Sequence, residues 1–86
     1  MILITVDLRG GIRKFVGYPQ LRVEEDGITI DDMIDYIENR YELSGKIKKN
    51  EIMVAINGVD SSILGGGRAK ITSGDIVTIL TVVHGG

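Results

Sequence analysis

The sequence predicts an α+β fold: a mixed sheet of four to five strands with one main helix packed on one face. Three observations predict it. Residues 2–8 alternate, with Ile2, Ile4, Val6 and Leu8 on one side and Leu3, Thr5 and Asp7 on the other, the period of a half-buried strand. In residues 30–42, Ile30, Met33, Ile34, Ile37 and Tyr41 recur at helical spacing, which gives an amphipathic helix one buried stripe. Ile76 to Val83 is a nearly continuous apolar run, the mark of a central strand covered on much of both faces. One helix must then cover one face of one sheet.

Each element follows in order. After the first strand, Gly10-Gly11 reads as a tight hairpin turn. Residues 13–23 read as a second strand, with Phe15, Val16, Leu21 and Val23 as candidate core. Pro19 cannot donate a ladder hydrogen bond, so this strand is expected at an edge, interrupted near Gly17-Tyr18-Pro19. Thr29 is a good N-cap for the helix, with Asp31 and Asp32 in the first turn, and Gly45 is the expected terminator. Lys46 to Glu51 is a charged connection. Ile52-Met53-Val54-Ala55-Ile56 is a third strand, ended by the turn dipeptide Asn57-Gly58. Residues 61–71 read either as a short strand or as a turn around Ser62-Ile63-Leu64, followed by Gly65-Gly66-Gly67. Ser73-Gly74-Asp75 turns the chain into the last strand. That strand is too apolar for an edge and is expected in the middle, beside the first. This order describes a β-grasp, with a domain over residues 1–82 and a flexible tail over residues 83–86.

Composition bounds the function. The 86 residues leave room for one domain, and the 43% hydrophobic and 26% charged content is an ordinary balance. With no Cys and few aromatics, packing of Ile, Val and Leu must supply stability, and thiolate chemistry is excluded. A net charge of −2 argues against direct nucleic-acid binding, which needs clustered Lys and Arg. The apolar start Met1-Ile2-Leu3-Ile4 runs into Asp7 and Arg9, too short for a signal-peptide core. No stretch approaches the ~20 apolar residues of a membrane span. The cytoplasm is the expected location.

Catalysis finds no support. A site needs a nucleophile, a base and a group to orient them, and the sole His is His84, near the end of the sequence. The helical acids Asp31, Asp32, Asp35, Glu38 and Glu42 read as a solvated face rather than a metal site, and as a negative patch that steers a basic partner. Leu64-Gly65-Gly66-Gly67-Arg68-Ala69-Lys70 lacks the Gly-Lys-Ser/Thr of a phosphate loop and reads as a flexible connection. Lys46, Lys48 and Lys49 are a solvated loop or, alternatively, candidate acceptors of a covalent modifier. Val83-His84-Gly85-Gly86 follows the last strand. A Gly-rich end can simply fray. Here the strand carries no stop signal, and two glycines can thread a channel that any Cβ would block. Four extended residues span about 13–14 Å.

These residues resemble the ubiquitin-like β-grasp proteins that end in Gly-Gly: the sulfur carriers MoaD and ThiS, the small archaeal modifiers, and the ubiquitin-related modifier. The resemblance covers the whole chain and is densest from Glu51 onward. Ile52 to Gly58 looks like the family's third strand and turn. Leu64-Gly65-Gly66 and Ser73-Gly74-Asp75-Ile76-Val77 look like its approach to the last strand. Val83-His84-Gly85-Gly86 is most similar to the Leu-His-Gly-Gly of the ubiquitin-related modifier, whereas molybdopterin carriers more often have prolines before the tail. The resemblance implies a substrate of enzymes rather than an enzyme. An E1-like enzyme using ATP and Mg would adenylate Gly86, with Val83, His84 and Gly85 threading the partner's active site; the chain itself would hold no cofactor or metal. A sulfurtransferase would then make a thiocarboxylate, a sulfur donor for tRNA thiolation or a pterin. Alternatively the chain would be joined to lysines of target proteins by an isopeptide bond, in archaea for the proteasome. Alignment on the diglycine places Met53, Ala55, Thr78 and Leu80 on the sheet face away from the helix. That patch is either a docking face or ordinary scattered hydrophobes. The alternatives are a MoaD-like small subunit of molybdopterin synthase and a β-grasp binding module that is never activated.

Overall fold

The computed structural model describes residues 3–43, 45 and 47–81. Strands β1 (Ile4–Arg9), β2 (Gln20–Val23), β4 (Ile52–Ile56), β5 (Val59–Asp60) and β7 (Ile76–Thr81) form a five-stranded sheet in the order β2-β1-β7-β4-β5. The short strands β3 (Ile28–Thr29) and β6 (Lys70–Ile71) pair separately. Helices α1 (Gly11–Val16) and α2 (Ile30–Arg40) complete the fold, a ubiquitin-like β-grasp.

The alternation in β1 sets the inner face. Ile4, Val6 and Leu8 are buried, and their register pairs Val6 with Leu21 of β2 and with Val77 of β7. The apolar run β7 lies at the centre, parallel to β1 and antiparallel to β4. Its Val77 and Ile79 are fully buried, as are Met33 and Ile37 of α2. At the start of α2, the Thr29 hydroxyl accepts the Asp32 N–H at 3.1 Å. Acids at 31 and 32 then face the positive end of the helix dipole.

Three expectations are corrected. Residues 13–23 are not one strand and Gly10-Gly11 is not a hairpin turn. The chain instead enters α1, and only residues 20–23 return antiparallel to β1. Because 11–16 is helical, Ile12 and Val16 share one face, i to i+4, and pack on the core. Phe15 is turned out of it and stands 58% exposed. Gly17, at φ 87°, closes α1 in the left-handed conformation.

The terminator of α2 is Glu42 rather than Gly45. Glu42 takes φ 56°, and the Leu43 N–H reaches back to the Glu38 carbonyl at 2.8 Å, the six-to-one bond of a Schellman ending. Leu43 is thereby buried beside the helix, and the Gly45 N–H binds the Glu38 carboxylate at 2.8 Å.

Of the two readings of residues 61–71, the turn holds around Ser62-Ile63-Leu64: residues 61–68 form two 3-10 turns. The segment read as a flexible connection packs on the first turn of α2. The Ala69 carbonyl accepts the Ile30 N–H at 3.0 Å, and a Cβ on Gly67 would stand 2.5 Å from the Asp31 carboxylate.

Candidate functional site

Strand β7 organises the surface that sequence reasoning singled out. Its residues alternate across the sheet, so Val77 and Ile79 fill the core while Ile76, Thr78 and Leu80 face away from α2. On β4 the same alternation buries Val54 and Ile56 and turns Met53 and Ala55 outward. The antiparallel register sets Met53 opposite Leu80 and Ala55 opposite Thr78, which brings all four residues onto one face. Met53 is 51% exposed and Leu80 39%, whereas Ala55 and Thr78 are partly covered. The neighbours are polar: Asp7 is paired with Thr78, Arg9 with Leu80, and Asp60 with Ala55. An apolar strip is thus rimmed by charge. Ile76, 49% exposed, extends the strip. Sequence reasoning omitted it, although its place two residues before Thr78 was a sufficient signal.

The start of β7 is pinned by a hydrogen-bonded clip. Asp75 accepts the Thr72 N–H at 2.8 Å and the Asn57 side-chain amide at 2.9 Å. Asn57 in turn accepts the Ile76 N–H at 2.9 Å. These bonds, led by the Thr72 N–H, hold the Asp75 carboxyl below the usual carboxylate range, with slight burial opposing. The clip joins the turn before β7 to the Asn57-Gly58 turn. Both of its glycine-region residues have positive φ, 51° and 83°.

The other end of β7 meets α1. The Ile12 N–H donates to the Thr81 hydroxyl at 2.8 Å, and Gly10 lies against the Thr81 carbonyl. A cavity of about 210 Å³ opens beside this junction, lined chiefly by Ile12, Phe15, Leu43, Ile47, Ile52 and Thr81. Val83, His84, Gly85 and Gly86 lie outside the described residues, as does Lys46.

The two described candidate acceptors differ. Lys49 makes an ion pair with Asp31 at 3.0 Å. That hydrogen bond raises the Lys49 pKa, and the charges of Asp31, Asp35 and Glu38 add to it against a small desolvation. Lys48 is exposed at the start of a 3-10 turn. Among the described residues, no three His, Asp or Glu side chains group as metal ligands. No described helix is long and apolar enough to cross a membrane.

The profile of the ThiS family matches residues 6–86. The chain belongs to the ThiS family. Solved structures agree with that membership. A chain of the Amycolatopsis orientalis BexX/CysO complex is 31% identical, with a TM-score of 0.71, over 96% of this chain and 99% of the other. Small archaeal modifier protein 1 from Methanosarcina acetivorans superposes with a TM-score of 0.78 at 21% identity, over 100% of this chain and 99% of the other. Urm1 from Trypanosoma brucei gives 0.74 at 23% identity, over 98% and 95%. No curated protein sequence matches significantly. This ThiS-family chain is a ubiquitin-like protein of the sulfur-carrier or modifier class.

Proposed function

We propose that this chain is a ubiquitin-like modifier and sulfur carrier activated at Gly86 by an E1-like adenylating enzyme. The observation that carries the reading is the family match running through Gly86, on a chain whose last described element is the central strand β7. A carboxylate is inert until one oxygen leaves easily. A Gly86 carboxylate oxygen would attack the α-phosphorus of ATP, releasing pyrophosphate and forming an acyl-adenylate. The terminal sulfur of a sulfurtransferase persulfide then displaces AMP to give an acyl disulfide, and a second thiol on the partner cleaves its S–S bond, leaving a disulfide there and releasing a thiocarboxylate that serves tRNA thiolation. Displacement of AMP or of a thiol by a lysine amine forms an isopeptide bond instead, the step that would mark proteins for the proteasome.

Under this reading Val83, His84 and Gly85 thread the partner's active site, and Met53, Ala55, Thr78 and Leu80 dock on its surface. The charged rim of that strip favours orientation over raw affinity. Where the chain itself accepts a modifier, Lys48 serves better than Lys49, whose amine is held in an ion pair with Asp31.

Intact mass spectrometry of the protein from its own cells tests the reading. A terminal oxygen replaced by sulfur supports the carrier role, and peptide mapping that finds other proteins' lysines joined to this chain's C-terminal residue, whichever residue stands at 86, supports the modifier role. Both signals should vanish in Gly86→Ala. Persistence of both in that variant refutes activation at Gly86.

A further inference from the structure

We infer that Thr81 is a positioning residue for the reactive end: its hydroxyl ties the last described residue of β7 to α1 and so fixes the point from which the chain runs on to Gly86. The inference rests on the reading that Gly86 is the reactive end.

The geometry of α1 carries it. A helix start needs an acceptor for its free N–H groups, usually a Ser, Thr, Asp or Asn at the N-cap. Here the N-cap is Gly10, and no side chain of α1's own flank provides a cap. None can stand there. Gly10 has φ 74° and ψ −148°, a conformation essentially confined to glycine. A Cβ at that position would also lie 2.9 Å from the Thr81 carbonyl oxygen. The missing acceptor comes from 69 residues away, as the Thr81 hydroxyl takes the Ile12 N–H at 2.8 Å.

Thr81 is thus engaged twice by one short stretch. Its hydroxyl is bonded to Ile12 and its carbonyl abuts Gly10. Thr81 is also the last residue of β7 among the described residues, paired with Ile52 of β4. On the β1 side the final pair is Arg9 with Leu80, so the contact with α1 takes over where that ladder stops. Strand ends fray unless tied down. A tied end narrows the directions open to the residues that follow it, and so lowers the ordering cost of threading a channel.

Helix capping alone would make the same bond, but its loss would then cost stability only. Thr81→Val keeps the branched shape and removes the acceptor, and Thr81→Ser restores it. The assay is ATP–pyrophosphate exchange by the E1-like enzyme of the same organism, at a temperature where denaturation curves show every variant folded. Thr81→Val should raise KM for the carrier roughly five- to tenfold with kcat little changed, the scale of one lost hydrogen bond, and Thr81→Ser should return KM to the wild-type value. In the same samples, amide ¹⁵N order parameters of residues 82 and 83 should fall in Thr81→Val and recover in Thr81→Ser. Equal KM values for all three proteins, or order parameters that do not move, overturn the inference and leave the role of Gly86 standing. Absence of exchange with wild type overturns the role of Gly86, and the order parameters alone then decide whether Thr81 restrains the tail.

Discussion

Gly10→Ala tests the junction between α1 and β7 through stability. Two costs add. The backbone conformation, φ 74° and ψ −148°, strains any residue with a Cβ by about 1–3 kcal/mol. The new Cβ would lie 2.9 Å from the Thr81 carbonyl and 3.4 Å from a Leu80 methyl. Its nearest neighbour is backbone in the central strand, so relief requires moving β7 or α1, at a further ~1–3 kcal/mol of overpacking. The total, about 2–6 kcal/mol, is a large share of the roughly 4–13 kcal/mol expected for a domain of this size. Gly17→Ala is the internal control. Gly17 also has positive φ, 87°, but nothing lies within 4 Å of its Cβ position, so only left-handed strain of about 1–2 kcal/mol applies. The loss in Gly10→Ala beyond that in Gly17→Ala, in urea denaturation, therefore reports the contact with Thr81 together with any difference in backbone strain. Equal losses would show that the contact constrains nothing, and the junction would then be an incidental packing of a loop on a strand end.

Asp75→Ala should lower stability at neutral pH by about 1 kcal/mol, the scale of charge-assisted hydrogen bonds discounted for solvent exposure. Its folded pKa is depressed, chiefly by the Thr72 N–H. The stabilisation is therefore present above the unfolded carboxylate pKa and lost as pH falls through the folded value. In acid titrations followed by circular dichroism, the variant should lose less stability than wild type below about pH 4, near and below the ordinary Asp pKa; parallel curves would deny the clip its electrostatic part. Met53→Glu with Leu80→Glu tests the proposed docking strip. Both positions are exposed, so stability should change by no more than ~0.5 kcal/mol per site, while KM in the adenylation assay should rise about tenfold or more. Unchanged KM would move docking to another face.

The parts of the fold legible in the sequence are those with enough residues to show a period. Ile30, Met33, Ile34 and Ile37 mark α2 over three turns, and Thr29 supplies its cap in the sequence itself. The unbroken run of β7 marks a strand shared between two neighbours. Helix α1 had neither signal. Six residues make fewer than two turns, so Ile12 and Val16 give one helical pair and no repeat. Its cap comes from Thr81 at the other end of the chain, a tertiary bond that no local pattern records. What the sequence does carry is its ending, since Gly17 followed by Pro19 is a helix stop as well as a strand interruption. The end of α2 failed for a related reason. Glu42 takes the left-handed position usually given to glycine, and the six-to-one bond and the burial of Leu43 offset that strain.

The candidate site was legible to the same depth. Strict alternation within β7 decides both of its faces at once: once Val77 and Ile79 are assigned to the core, Thr78 and Leu80 must face outward, and register with β4 brings Met53 and Ala55 beside them. That deduction needs no knowledge of chemistry, because a carrier of this kind has little chemistry of its own to display. The nucleotide, the sulfur and the base would all come from partners. A cysteine-free chain need present only a strip to be held by and an end to be reached. Under the proposed function the two must also keep a fixed relation, so that a partner gripping Met53 and Leu80 would find Gly86 in one place. Leu80 and Thr81 are adjacent in β7, one facing the strip and the other bonded to α1. Under the proposed function, the bond at Thr81 is therefore placed where it ties the strand that carries the strip to α1, one residue before the chain runs on toward Gly86.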